Sequence, residues 1–403
     1  MRGIYLKTLL FGSLFALPAG LMLAINSFWP DADLLQPNGF YLGSDFANYW
    51  TGGRLALQGR LDVLYDFARY NALLHEWFSP HLRLMNFSYP PHALFLLAIF
   101  GAFPYLAALL LWSLAGAIGF IAVALGRRPH RGDGRIILAL ALSPILWVNI
   151  VFGQFGLLLS VLFVGALRAL PARPVLAGLL IGLLTIKPQL GLLLPLLLLL
   201  LPSWRALAAA VISAVVLVAL SLLVFGVEPW QVYVTDTMPF QWHFIEVMDG
   251  FYRFQMVTPY TALWFCGLPV EAALALQGII SLLIAVATCA VVRSAADYPL
   301  KATVVAFGSV LMVPYVLAYD LAIPLAALVW YLSERASRVA PLGIALVAAV
   351  WALPFALCIL FQTQGLPVLP LVLLGCFGWL VSEALGFRRV GLHRTTEAAP
   401  VKA

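Results

Sequence analysis

Gly43-Ser44-Asp45-Phe46-Ala47-Asn48-Tyr49-Trp50 sets a carboxylate among aromatic side chains, shortly after an apolar run from about Thr8 to Trp29. That run is too long for the core of a signal peptide, which is about 7–15 residues, and it lacks a clear cleavage site. It reads as a retained first transmembrane helix behind the basic segment Met1 to Lys7. A carboxylate at the lip of such a helix is costly unless something polar is handled there. Asp45 is therefore the centre from which the rest of the chain is read.

Of 403 residues, 63% are hydrophobic and only 10% are charged, with a mean hydropathy of +1.00. A soluble domain carries about 25% charged residues, so the chain reads as a polytopic membrane protein. The four cysteines (Cys266, Cys289, Cys358, Cys376) lie in or beside apolar segments without CxxC or Cys/His spacing. They read as small lipophilic side chains and imply neither a disulfide framework nor a metal site. The formal charge of +6 is spread over short loops, which argues against nucleic acid as a partner. Walker, dinucleotide GxGxxG and zinc HExxH patterns are missing.

Apolar segments are drawn at roughly 8–29, 104–126, 136–152, 156–170, 174–187, 189–201, 206–225, 269–292, 302–316, 320–333, 339–361 and 366–386. Several fall short of the ~20 residues of a straight span and must be tilted, paired as half-helices or buried against neighbours. With a cytoplasmic N-terminus, 17 of the 23 basic residues fall inside, including Arg127, Arg128, Arg131, Arg335 and Arg338. Arg54, Arg60, Arg69, Arg83, Lys187 and Arg253 fall outside. This bias orients the chain. The run from Pro90 to Phe103 is then a juxtamembrane or re-entrant piece.

Two large external loops result. The first, about 30–89, is expected to hold short amphipathic helices around Arg54 to Leu64 and Arg69 to Phe78. The second, about 226–267, is rich in aromatics, among them Trp230, Tyr233, Phe240, Trp242, Phe244, Phe251, Tyr252 and Phe254. They read as an interface belt or as a carbohydrate- or lipid-contact surface. Residues 387–403 form a basic tail, expected to be cytoplasmic and disordered.

Five polar breaks share the external side in this topology: Asp45, Tyr89-Pro90-Pro91-His92, Gly153-Gln154, Lys187-Pro188-Gln189 and Tyr319-Asp320. Together they suggest a polar cavity. Asp45 is either a helix N-cap or an interfacial anchor, or it is a base for a hydroxyl proton. Lys187 either snorkels to the interface or meets a phosphate at the membrane surface. Asp320 either pairs with an external cation or belongs to the site. Pro90-Pro91 sets a kink, His92 beside it can titrate near neutral pH, and Gly153-Gln154 is a helix break with a capping amide. His243, Glu246 and Arg253 are either solvated loop residues or substrate contacts.

Asp45-Phe46-Ala47-Asn48-Tyr49-Trp50, followed by Gly59 and Leu64-Tyr65-Asp66, resembles the first external loop of glycosyltransferase family 87. The resemblance continues through Tyr89-Pro90-Pro91, Gly153-Gln154 and Ala177-Gly178-Leu179-Leu180-Ile181-Gly182 into Lys187-Pro188, over roughly residues 8–335. It implies an all-α integral membrane protein of the GT-C type, one domain over 1–386 with about 12 transmembrane helices. The implied activity is inverting transfer of a hexosyl unit, mannosyl in the family's named members, from a polyprenyl-phosphate carrier. The acceptor would be a lipid or glycan hydroxyl on the outer face of the plasma membrane. In this reading Asp45 is the general base and Lys187, with Arg54 or Arg253, steadies the carrier phosphate. Tyr49, His92, Gln154, Gln189, Tyr319 and Asp320 complete the expected substrate contacts, and no cofactor is required. Relatives close to the phosphatidylinositol-mannoside enzymes carry a His-rich element late in the chain. The stretch here reads Val313-Pro314-Tyr315-Val316-Leu317-Ala318-Tyr319-Asp320, a departure that bears on the sugar. The rival readings are a flippase for a polyprenyl-linked sugar and a non-catalytic partner in envelope assembly.

Overall fold

A computed structural model describes residues 2–23, 25–26, 29–126, 133–247, 255–334, 341–362 and 368–386. Among these the chain is helical, and the only ladder contacts are the isolated bridges Leu35–Tyr41 and Met256–Leu317. Arg127, Arg128, Arg131, Phe251, Tyr252, Arg253, Phe254, Arg335, Arg338 and the tail 387–403 lie outside the described residues. The side chains of Phe244 and Cys358 do as well.

The first helix is α1 (Arg2–Leu23). The segment before Tyr89 then folds into α2 (Phe46–Gln58), α3 (Leu61–Leu64) and α4 (Phe67–Trp77). These differ from the expected pair, because α2 begins at Phe46 instead of Arg54. Gly59 ends it in the left-handed conformation, φ +68°, which glycine adopts without strain. Asp66 starts α4 by accepting the Arg69 N–H at 3.0 Å, an ordinary N-cap.

After a 3-10 turn, α5 (Leu94–Gly101) follows. Its eight residues span ~12 Å, far short of a ~30 Å hydrocarbon core. It instead crosses α2 at backbone contact: a Cβ on Gly53 would lie 2.1 Å from the Leu97 carbonyl oxygen, and one on Gly101 2.5 Å from the Arg54 nitrogen.

The expected dozen spans is not what the helices form. Among the described residues four are long and apolar enough to cross a membrane: α6 (Tyr105–Leu125), α12 (Trp204–Phe225), α16 (Val270–Arg293) and α20 (Val368–Leu385). A fifth would be α7 (Gly134–Ala141) with α8 (Pro144–Val151), bent by 43° at their junction. The other apolar runs are cut short where polar or turn residues interrupt them. They are α9 (Gly156–Ala169), α10 (Pro174–Leu183), α11 (Leu193–Leu200), α17 (Tyr298–Leu311) and α18 (Ala322–Glu334). From Ala322 to Leu332 every residue of α18 is buried. A helix apolar on all sides and wrapped by protein is a core element, so its hydropathy reports burial among helices. By contrast α12 turns Val211, Ile212, Val215, Leu223 and Val224 outward, the surface a lipid environment demands. The chain is a helical membrane protein.

Between α12 and α16 run α13 (Glu228–Val232), a π-helical turn, α14 (Met238–Val247) and α15 (Pro259–Phe265). Trp242 and Phe240 are exposed on α14. One further helix, α19 (Pro341–Gln362), packs on α1, where the Trp351 indole donates to Ser13 Oγ at 2.9 Å.

Candidate active site

Two interlocked turns set the site. Gly43 (φ +85°) and Ser44 (φ +47°) turn the chain into α2, and Gly153 (φ +61°) turns it between α8 and α9. The Asp45 N–H donates to the Phe152 carbonyl at 3.2 Å. A Cβ on Gly153 would stand 2.1 Å from the Gly43 carbonyl oxygen and 2.6 Å from Phe46 Cβ. Only glycine satisfies both the conformation and the space. The contact carries Gln154 to Asp45.

Asp45 occupies the N-cap position of α2, yet its side chain makes no capping bond. Its Oδ2 accepts from Gln154 Nε2 instead. Gln154 Oε1 accepts from the Tyr49 hydroxyl at 2.7 Å, and 2.8 Å separates the hydroxyls of Tyr49 and Tyr89. A phenol has a single proton. Tyr49 gives its own to Gln154, so Tyr89 is the donor to Tyr49. The chain therefore runs one way, from Tyr89 through Tyr49 and Gln154 to Asp45.

Aromatic packing immobilises it. Phe155 lies 4.5 Å from Tyr49 and 5.0 Å from Tyr89 between ring centroids, and Trp112 lies 4.9 Å from Phe155. The Tyr65 hydroxyl donates to the Tyr89 carbonyl at 2.9 Å. Asp45 keeps partial exposure as a residue, while desolvation pushes its carboxyl up to about 6. The Gln154 hydrogen bond and the Lys187 charge oppose that rise. Burial raises both Tyr49 and Tyr89 well above the usual phenol value, so both remain proton donors at neutral pH.

Lys187 sits at the break between α10 and α11, flanked by 3-10 turns at Leu184–Ile186 and Pro188–Gly191. Its ammonium is held at 2.7 Å by each carboxylate oxygen of Asp320. Both residues are buried. The ammonium also lies 5.0 Å from the Tyr319 ring centroid. Asp320 Oδ2 further accepts the Leu317 N–H at 3.3 Å. The cation that pairs with Asp320 is thus Lys187 itself, and this ion pair is a contact neither reading of Lys187 includes.

The segment after Gly153 links the two centres. A Cβ on Gly156 would fall 2.1 Å from the Tyr319 carbonyl oxygen, which also accepts from Asn149 Nδ2 at 3.0 Å. So Gln154 touches Asp45 while Gly156, two residues on, abuts Tyr319. Asp45, Tyr49, Gln154, Lys187, Tyr319 and Asp320 form one cluster, together with Tyr89.

Other expected residues lie apart. Arg54 donates to the Gly101 carbonyl at 3.1 Å and lies 5.8 Å over the Trp50 ring. At 1.5 Å per residue it is ~13 Å along α2 from Asp45, and it serves as a brace between α2 and α5. His92 is buried, stacked on Trp230 at 5.7 Å and 17°, with Nε2 3.1 Å from Thr185 Oγ1. Thr185 donates its proton to the Gly182 carbonyl at 2.6 Å, which leaves His92 Nε2 as the donor and Nδ1 bare. Gln189 is half-buried in the second 3-10 turn. Exposed His243 lies 3.7 Å from Glu246 on α14. Among the described residues no three His, Cys, Asp or Glu side chains gather as metal ligands would. An open cleft of about 1010 Å³, lined by Asp62, Tyr65, Asp66, Glu228 and Asp236, lies beyond the far end of α2 and does not include Asp45.

The sequence model of glycosyltransferase family 87 matches residues 87–314, more than half of the chain. The matched region contains Tyr89, Gln154 and Lys187; Asp45 precedes it and Asp320 follows it. Comparison with curated proteins finds no match.

Proposed function

The chain belongs to glycosyltransferase family 87, and on that premise we propose that it transfers a hexosyl unit from a polyprenyl-phosphate carrier to a hydroxyl of a lipid or glycan acceptor. The observation that carries this reading is the carboxylate of Asp45. It stands at a helix N-cap without capping, and Gln154 holds one of its oxygens.

In the proposed reaction, a carboxylate oxygen of Asp45 takes the acceptor hydroxyl proton as the acceptor oxygen attacks the anomeric carbon. The bond from that carbon to the phosphate oxygen breaks, and the polyprenyl phosphate leaves with the electron pair. Direct displacement inverts the anomeric centre. A phosphate is already a good leaving group, so a general acid is less needed than in glycoside hydrolysis. What remains is a base for the hydroxyl and stabilisation of the departing anion. Lys187 has three N–H donors, of which Asp320 takes two. The carrier phosphate would take the third. The leaving group would then meet a polarised pair instead of a net cation. The reading also places this site on the outer face of the plasma membrane, with both termini cytoplasmic.

The test is incubation of the purified protein in lipid with radiolabelled polyprenyl-phosphate sugar and membrane extract. Label on a new product with release of free carrier lipid is expected. Movement of intact labelled carrier across the bilayer without release would instead mark a flippase.

A further inference from the structure

Gln154 has a second property that its amide chemistry imposes. Both ends of the amide are committed: Oε1 accepts from Tyr49 at 2.7 Å, while Nε2 donates to Asp45 Oδ2. Rotating the amide by 180° would place its oxygen against a carboxylate oxygen, two acceptors with no proton between them. The Asp45 carboxylate, which has no proton to give, therefore fixes which way the amide faces, and the Tyr49 hydroxyl ties down its oxygen. An amide passes no proton without first becoming an imidic acid. The chain is consequently a positioning device and not a proton conduit.

We infer that Gln154 is a positioning residue that secures Oδ2 of Asp45 and so dedicates Oδ1 to the proton of the incoming hydroxyl. This rests on the reading of Asp45 as the base. Charge arrangement around the carboxyl supports it. Lys187 from the α10–α11 break faces Asp45 with its charge matched by Asp320. Tyr49 of α2, Tyr89 before α5, and Tyr315 and Tyr319 before α18 all sense the Asp45 charge as neutral phenols. Gln154 is the hydrogen-bond donor opposing desolvation of the carboxylate. A hydrogen bond to a charged group is worth about 1.5–3 kcal/mol, equivalent to roughly 1–2 pH units in the midpoint of the group it holds.

The experiment is infrared titration of the protonated carboxyl band that Asp45→Asn removes, on full-length protein in lipid, alongside the pH profile of transfer. Gln154→Leu is expected to raise the band's midpoint by roughly 1–2 units and to shift the acid limb of kcat by the same amount. Tyr49→Phe, which keeps the ring and releases the amide oxygen, is expected to shift both in the same direction by less. It also serves if Gln154→Leu does not fold. An unmoved midpoint in a folded variant overturns the inference even if transfer persists. A shifted midpoint in a protein with no transferase activity would instead retain the positioning role and remove the proposed reaction.

Discussion

Gly153 and Gly43 meet so closely that one added carbon on Gly153 would lie 2.1 Å from the Gly43 carbonyl oxygen. No side-chain rotation relieves such a contact, because the obstacle is backbone. Gly153→Ala must move the turn that carries Gln154 away from the turn that carries Asp45. A left-handed alanine alone costs about 1–2 kcal/mol. Gly59→Ala is the matched control, since φ is +68° there and nothing lies within 4 Å of an added Cβ. Thermal unfolding in detergent is expected to show a modest loss for Gly59→Ala and a larger one for Gly153→Ala, with transfer lost only in the latter.

Asp45→Asn keeps the shape of the side chain and removes its basicity. General-base catalysis contributes typically 10²–10⁴-fold, so turnover is expected to fall by that factor, with expression and donor binding retained. Quantifying labelled product against retained labelled carrier separates the two effects; turnover like that of the wild type would remove Asp45 from the chemistry.

The pH dependence follows from the same carboxyl. Its pKa is raised from 3.8 to about 6, so the base is lost by protonation and transfer should fall as pH drops through about 6. Stability runs the opposite way. The folded value exceeds the unfolded one, so this group's contribution is most favourable below about pH 4 and is lost as pH rises through about 6. Asp45→Asn is expected to melt higher than wild type at pH 8, by up to about 3 kcal/mol for a shift of roughly two units, with the difference closing near pH 4. Melting curves at the two pH values check the sign.

Lys187 and Asp320 predict a non-additive pair. Removing one member leaves a buried, uncompensated charge, which costs about 3–5 kcal/mol. Lys187→Met and Asp320→Leu should each be severely destabilised, and the double variant should recover much of the loss. A thermal-stability cycle over the four proteins gives the coupling. Additive losses would mean that the pair contributes no net interaction in the bilayer.

The sequence makes the membrane class plain through hydropathy, and it marks Asp45, Gln154, Lys187 and Asp320 because each interrupts apolar runs. It does not say which of these meet. The Lys187–Asp320 contact spans 133 positions, and nothing local encodes it. Arg54 looks like a ligand because it is basic and near Asp45 in sequence, whereas helix α2 carries it away. The overcount of spans has a physical cause too. An all-apolar helix such as α18 reads the same whether lipid or protein surrounds it. Thr185 escapes notice, and Trp230 stands out only as one aromatic of the second loop, because only folding makes them the partners of His92. The glycine pair Gly153 and Gly156, bracketing Gln154, is the signal that could have placed that residue at a crossing of backbones.

The separation of Lys187 from Asp320 also sets a clock on biogenesis. Chains grow at about 5–20 residues per second, so the 133 positions between them correspond to roughly 7–27 s. For that interval Lys187 has been made and its counter-charge does not yet exist. An ammonium in that state is opposed by the hydrocarbon. The break at Lys187 can therefore settle only after Asp320 has been made, and a chain stopped before Asp320 would present to quality control a lone charge with no partner to come.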